Sequence, residues 1–319
     1  MCYSAQIRAD YRDYTRLFGA HLSIKEFVKL FYGRQEARLK IPKALEAAFE
    51  RDASTPEELE IRGLIEAFKA DRAMALEQEL FAQRKRLADA ERTLQTKQTK
   101  SALDSQRIAT AKISKARLDL EDLRRTELLD RDSRIFPGVY APVMVVRDGQ
   151  KVVLPMRYQC RPAGRPASYD VQYPGTYNAR RDNLEKFWRG HFGVTHGIMI
   201  VNAFYENVKR HDMEHRELAP DEKPENVVLE FKPSPPQDML VACLWSHWTQ
   251  HGEPELLSFA AITDEPPPEV AAAGHDRCII PIKPEHVDAW LNPDPSNLKA
   301  LYDILDDRAP AFYEHRLAA

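Results

Sequence analysis

An α+β fold is predicted for this 319-residue chain, and three observations carry that prediction. Short apolar runs with strand character recur at irregular spacing through the second half, with helical stretches among them. Val143 to Leu154 reads as a β-hairpin whose two arms meet at Asp148-Gly149, a dipeptide suited to a turn with two positive φ angles. From Thr55 to about Arg134, glycine and proline nearly vanish, while Ala, Leu, Glu, Lys, Arg and Gln take over, a composition that favours helix.

Taken in order, residues 1 to about 50 read as a strand-like start followed by helices. Ser23 is placed to cap a helix from Ile24 through Phe31, with Glu26 at the capping-box position. Thr55-Pro56-Glu57-Glu58 is a helix start: a capping residue, proline at the first helical position, then acids in the first turn. Leu64, Phe68, Leu76, Leu80 and Leu87 keep helical spacing, a polar stretch from Gln95 to Ser105 interrupts it, and Ile108, Ile113, Leu118, Leu120 and Leu123 resume it. The expectation is a long antiparallel helical hairpin, with a single long helix as the alternative. Beyond it, strands are expected at Gly197 to Phe204, Asn226 to Phe231, Met239 to Trp245, Leu256 to Thr263 and Cys278 to Ile282. Pro284-Glu285 then opens a helix through Val287 and Trp290. This gives a discontinuous core, residues 1–54 and 135–319, with 55–134 as an inserted helical hairpin.

Hydrophobic residues make up 43% of the chain, enough to fill a core and to exclude wholesale disorder. Lys and Arg number 46 against 49 Asp and Glu, net -3, which argues against a histone-like polyanion binder. The charge is segregated, however. Residues 157–216 carry 10 basic and 6 acidic side chains, net +4, whereas residues 217–276 carry 2 and 12, net -10. No apolar run approaches the roughly 18 residues of a membrane span. The first residues lack a basic-then-apolar signal pattern, so a cytoplasmic location is expected. Of the four cysteines, Cys2, Cys160, Cys243 and Cys278, no two form a CxxC motif, and Cys160 and Cys243 are expected as buried small hydrophobes. His211 and His215 stand four apart, but in a proline-flanked polar stretch, so no metal and no cofactor are expected.

Four places could carry chemistry. Removal of Met1 would leave Cys2 with a free α-amine, whose pKa near 7.7–8.0 keeps a useful fraction nucleophilic. With the thiol on the adjacent carbon, this 1,2-aminothiol can trap an aldehyde twice, as a Schiff base and then as a five-membered thiazolidine. Asn178 in Tyr177-Asn178-Ala179-Arg180-Arg181 offers a donor and an acceptor, and its arginines suit phosphate. Glu206 ends the apolar strand Ile198 to Tyr205, where partial burial raises a carboxyl pKa toward neutrality. His275-Asp276-Arg277 puts a proton carrier beside a phosphate-capable cation.

Together and in this order, these residues resemble the SOS response-associated peptidase (SRAP) domain family. The resemblance rests on Met1-Cys2, Tyr140-Ala141-Pro142, Asn178-Ala179-Arg180, Phe204-Tyr205-Glu206 and His275-Asp276-Arg277. It extends through Ser258 to Thr263 and the helix Pro284 to Leu291, and it leaves the helical block unmatched. It implies a twisted, mostly antiparallel, partly closed sheet with flanking helices. It also implies covalent capture of abasic sites in single-stranded DNA by the N-terminal cysteine. By the same resemblance, Asn178 would position the N-terminal residue and Glu206 would act as general acid/base. His275 would assist ring opening and proton transfer, Arg180 and Arg277 would hold phosphates, and Pro142 would line the site. The chain departs from the family in four places. Tyr3-Ser4 replaces Gly-Arg after the cysteine, Asn207 replaces Trp, Cys278-Ile279 replaces Met-Pro, and the aromatic pair that wedges between bases has no Trp counterpart. The expectation is that Tyr169 or Tyr173 stacks in its place, with absence of the wedge as the alternative.

Two other functions compete. In one, Cys2 is the nucleophile of a peptidase or self-processing amidohydrolase, with Glu206 or His275 as base. In the other, the chain is a non-catalytic module that binds a protein partner or self-associates through residues 55–134.

Overall fold

A computed structural model describes residues 3–318. The chain divides into two compact units, Met1–Asp52 with Leu129–Ala319, and Ala53–Leu128. Among the described residues of the first unit, thirteen strands form one mixed, mostly antiparallel sheet. They are β1 (Ser4–Ile7), β2 (His21–Leu22), β3 (Arg134–Ile135), β4 (Tyr140–Arg147), β5 (Gln150–Tyr158), β6 (Asn178–Arg180), β7 (His196–Lys209), β8 (Asn226–Ser234), β9 (Met239–Trp248), β10 (Leu256–Asp264), β11 (Cys278–Ile279), β12 (Pro281–Ile282) and β13 (Phe312–Leu317). The helices are α1 (Tyr11–Phe18), α2 (Ile24–Tyr32), α3 (Arg34–Ala37), α4 (Lys43–Asp52), α5 (Pro56–Thr96), α6 (Lys100–Arg124), α7 (Tyr169–Gln172), α8 (Arg210–Met213), α9 (Pro268–Ala272), α10 (Val287–Leu291) and α11 (Leu298–Asp306).

Strand pairing closes a ring in the order β9, β10, β5, β4, β7 and back to β9. The pair β10–β5 is parallel and the other four are antiparallel. The hairpin β4–β5 turns at Asp148 and Gly149, with φ of 51° and 73°, as the sequence predicts. The thin point of the ring is β4 against β7, which share one register pair, Met144 with Ile198. There Tyr14 of α1 bridges the strands. Its hydroxyl donates to the Pro142 carbonyl (3.0 Å) and accepts the Ile200 N–H (2.9 Å). Burial pushes the Tyr14 phenol well up, so the donor hydrogen stays in place. Gly197 permits the close approach, because a Cβ there would lie 3.0 Å from Val143 Cγ1 and 3.3 Å from the Met144 carbonyl oxygen.

β7 is longer than the sequence suggests. Its first half belongs to the ring, while its second half pairs with β8 from Phe204 to Lys209 and with β1 from Val201 to Tyr205. β13, which pairs with β8, is a strand that the sequence reading did not identify. The predicted capping box at Ser23 is not made: its side chain forms no cap bond, and Glu26 pairs with Lys29 instead (3.1 Å).

In the second unit, the Thr55 box is made. Glu58 N–H donates to Thr55 Oγ1 (3.2 Å), and Thr55 N–H donates to Glu58 Oε2 (3.1 Å). The polar stretch breaks the helix at residues 97–99, so the unit is a hairpin and not one long helix. Leu76 and Leu80 of α5 pack with Ile113, Ala116 and Leu120 of α6. Glu79–Lys112 (3.1 Å) and Glu77–Arg124 (2.6 Å) pair across the hairpin. No helix among the described residues is long and apolar enough to cross a membrane.

His196, at the start of β7, is buried beside Trp290 with ring centroids 4.0 Å apart. Gly193 N–H donates to its Nε2 (2.8 Å), so Nδ1 carries the proton and donates to the Trp290 carbonyl (3.0 Å). Burial lowers its pKa to about 3, because a second proton would face an N–H that is already a donor. An unfolded histidine takes up that proton near pH 6.5. Stability is therefore full above pH 6.5 and is lost as pH falls toward 3, by about 1.4 kcal/mol per pH unit from this group. Urea midpoints measured between pH 7 and 4 should fall accordingly, and His196→Asn, itself less stable at pH 7, should flatten the slope. Tyr14→Phe should cost roughly 2 kcal/mol or more in the same assay, since it strands two buried backbone groups.

Candidate active site

Glu206 lies in the second half of β7, opposite Leu229 of β8, and is fully buried. His275 follows Gly274, whose φ is +91°; a Cβ at 274 would come within 3.1 Å of Asp212. The His275 Nε2 is 3.1 Å from Glu206 Oε2. Its Nδ1 lies 2.8 Å from the Arg277 carbonyl oxygen and 3.3 Å from the Arg277 nitrogen. If Nδ1–H donates to that carbonyl, Nε2 has a lone pair facing a protonated Glu206. If Nδ1 accepts the Arg277 N–H, Nε2–H donates to the carboxylate. In the first arrangement the proton between Nε2 and Oε2 can sit on either side chain, and the second holds one proton fewer; a pair able to hold and release a proton is what general acid/base chemistry requires. Burial holds the His275 imidazole below its ordinary pKa.

The two other motifs meet this pair through β10. The sequence read residues around Asn178 as a loop, but Asn178–Arg180 is β6, running parallel to β10 with Asn178 beside Ala261. Thr263 at the end of β10 faces Arg180 on one side and Ile279 of β11 on the other, so Asn178–Arg180 and His275–Arg277 flank one strand end. Both polar atoms of the Asn178 side chain are buried without a partner among the described residues. Such a group costs about 1–3 kcal/mol unless something bonds to it. The Thr176 and Thr263 hydroxyls share that condition.

The chain enters the fold at the same place. Ser4 of β1 is opposite Tyr205, the residue before Glu206. Arg134 Nε donates to Ser4 Oγ (3.0 Å), and its guanidinium lies 3.7 Å from the centroid of the Tyr205 ring. The Tyr205 hydroxyl bonds Glu230 (2.9 Å) and lies 3.1 Å from Gln6 Oε1. The Tyr3 ring packs edge-on against Phe136 (5.7 Å) and against Tyr177 (6.1 Å), the residue before Asn178. Tyr3 and Ser4 therefore bridge the strands that carry Asn178 and Glu206. Cys2, the predicted nucleophile, lies outside the described residues.

Arg180 bonds Asp182 twice (2.7 and 3.1 Å) and holds that carboxyl below its usual range, with Arg277 adding to the effect. Arg181 pairs with Asp264 (3.2 Å) and Asp306 (2.6 Å). Pro142 is buried at the level of Ile200 through their shared partner Tyr14, six residues before Glu206 along β7. Tyr169 lies on α7, only 7% exposed, its ring 4.3 Å from that of Tyr173, which is 53% exposed. Cys160, Cys243 and Cys278 are free and buried, and burial pushes all three thiols up, Cys160 to about 12. Cys278 lies close enough to Glu206 for their charges to interact. Tyr3, Arg134, Tyr205 and Thr263 are not among the site residues expected from the sequence. Arg134 left no signal there, whereas Tyr3 adjoins Cys2, and Tyr205 and Thr263 fall within stretches that carry the resemblance.

The family described as SOS response associated peptidase (SRAP) matches residues 92–316. The chain belongs to the SRAP family. Membership supports a role in the SOS response to DNA damage. The matched range begins inside the helical hairpin and takes in Asn178, Glu206 and His275, while Cys2 precedes it. No curated protein matches the chain. Similar solved structures include a protein from Bordetella bronchiseptica (13% identity, TM-score 0.46, covering 59% of this chain and 87% of that one). A phage-related protein from the same organism is similar at 19% identity and TM-score 0.43, covering 61% and 85%. A protein from Bacteroides thetaiotaomicron is similar at 15% identity and TM-score 0.46, covering 60% and 80%.

In an NMR titration of this SRAP protein, the His275 ring resonance should move with a midpoint below pH 6.5. A midpoint at or above that value would contradict its buried setting.

Proposed function

We propose that this SRAP protein captures abasic sites in single-stranded DNA through Cys2 after removal of Met1. The Cys2 α-amine adds to the aldehyde of the ring-opened sugar and one water leaves, giving an imine. The thiol then adds across the C=N bond to close a thiazolidine. Atoms balance with the loss of that single water, and no oxidant or reductant is needed. Glu206 and His275 would carry the protons: one must reach the departing oxygen, and one must leave the nitrogen and the sulfur.

The observation that carries this reading is the buried Glu206–His275 pair at 3.1 Å, set on β7 next to Tyr205, the register partner of Ser4. Cys2 stands two residues before Ser4 in the sequence. The Asn178 amide beyond Tyr177, without a partner among the described residues, supports it further, offering an N–H donor group and an acceptor oxygen to an amine or a sugar hydroxyl. Arg180 and Arg277 would meet the flanking phosphates, Arg180 by exchanging its Asp182 bonds. Pro142 would shape the site only through the ring seam, and the exposed Tyr173 is better suited than Tyr169 to meet a base.

Wild-type protein with a confirmed Cys N-terminus should give a denaturation-resistant adduct with abasic single-stranded DNA, stable without borohydride. Cys2→Ala should abolish it, and Glu206→Gln should slow it by about 10²–10⁴-fold, the usual worth of general acid/base help. No adduct from wild type would sink the proposal. The family description also names a peptidase, and the same three residues would serve amide hydrolysis. Cleavage of a peptide library that depends on Cys2, with no DNA adduct, would favour that second function.

A further inference from the structure

We infer that Tyr3 forms a nucleobase-stacking site, so that the residue bonded to the nucleophile also holds the base beside the lesion. The inference rests on the crosslinking function proposed above.

Tyr3 belongs to a continuous ladder of rings. Phe259 and Tyr158 stack at 5.2 Å, Tyr158 meets Tyr177 edge-on at 5.7 Å, and Tyr177 meets Tyr3 at 6.1 Å. Tyr3 meets Phe136 at 5.7 Å. The Arg134 guanidinium then lies between Phe136 and Tyr205, 4.9 and 3.7 Å from their centroids. Tyr205, Tyr177, Tyr158 and Phe259 are buried, whereas Tyr3 is 42% exposed. The contacts of Tyr3 are edge-to-face, so neither neighbour stacks on it. The ladder fixes the ring while leaving part of it open, which lowers the ordering cost of binding a flat partner.

The spacing fits a base. Neighbouring Cα atoms lie about 3.8 Å apart, and successive nucleotides rise about 3.4 Å per strand when stacked. A ring one residue from the sugar-linked Cys2 is therefore within reach of a base flanking the abasic position. A base of any identity has a π-face, so this contact would be sequence-tolerant. It would also supply the aromatic surface that the buried Tyr169 does not present.

The test uses single strands with 2-aminopurine beside a tetrahydrofuran abasic analogue, which has no aldehyde, so that stacking is read without crosslinking. Wild type should quench the fluorophore. Tyr3→Ala and Tyr3→Leu should lose the quenching and bind roughly five- to hundredfold more weakly, whereas Tyr3→Phe should retain both. Tyr3→Leu keeps apolar packing without a π-face, so its loss of quenching separates stacking from a merely structural role. Quenching that survives in Tyr3→Leu, or is lost in Tyr173→Ala alone, would overturn the inference. Wild type that crosslinks true abasic DNA without quenching the analogue overturns the stacking site and leaves the crosslinking function standing. Quenching without any crosslink does the reverse, and the absence of both overturns both.

Discussion

The structure depends on β7 serving two sets of partners along one strand. Residues 196–201 pair with β9 in the closed ring, and residues 204–209 pair with β8 beyond it. Buried backbone groups need partners along their whole length, so a strand that leaves a ring must find new partner strands at once. β1 and β8 provide them, on either side of Phe204 and Tyr205. Strand alternation then sends Tyr205 and Glu206 to opposite faces. On one face, the Tyr205 network with Gln6, Glu230 and Arg134 ties down the register of β1. A one-residue slip would turn all of those groups to the wrong side. On the other face, Glu206 is buried against His275, a placement that would be costly for a lone carboxylate.

The polar site is therefore held by parts that take no role in proton transfer. Tyr14 closes the weak seam of the ring, His196 and Trp290 anchor the start of β7, and β10 joins β6 to β11 so that Asn178 and His275 flank one strand end. The arginines of the basic segment are also engaged, Arg180 with Asp182 and Arg181 with Asp264 and Asp306. Such pairs weaken a protein's pull on a polyanion, because each phosphate contact must displace a carboxylate. Under the proposed function, the covalent bond, more than the number of ion pairs, would set the lifetime of the complex.

Local signals survived folding where the deciding physics is local. Asp148-Gly149 makes its hairpin because two positive φ angles are required there. Thr55 and Glu58 make their reciprocal bonds because every partner lies within four residues. Ser23 and Glu26 carry the same pattern, yet Glu26 pairs with Lys29, so a competing side chain one turn along decided that helix start. β6 resembles a loop in the sequence because three residues rich in polar groups have no strand pattern of their own; only β10 beside them makes them a strand. β13 is not legible in the sequence because its polar run, Phe312 to Leu317, gains strand character from pairing with β8.

By itself, the sequence determined the fold class, the inserted helical block, the SRAP resemblance and the two buried partners Glu206 and His275 as residues of interest. These rest on composition, on spacing within a few residues and on short motifs, all of which survive in an unfolded chain. The tertiary structure alone decided that Glu206 and His275 lie 3.1 Å apart, that Asn178 stands on β6 beside β10, and that Pro142 and Tyr169 belong to the ring seam and to α7. It also decided that Tyr3 is held in a ladder reaching from β7 to β10. Each of these joins residues tens to hundreds of positions apart. Only the closing of the ring and the length of β7 bring them within the few ångströms over which hydrogen bonds and ring contacts act.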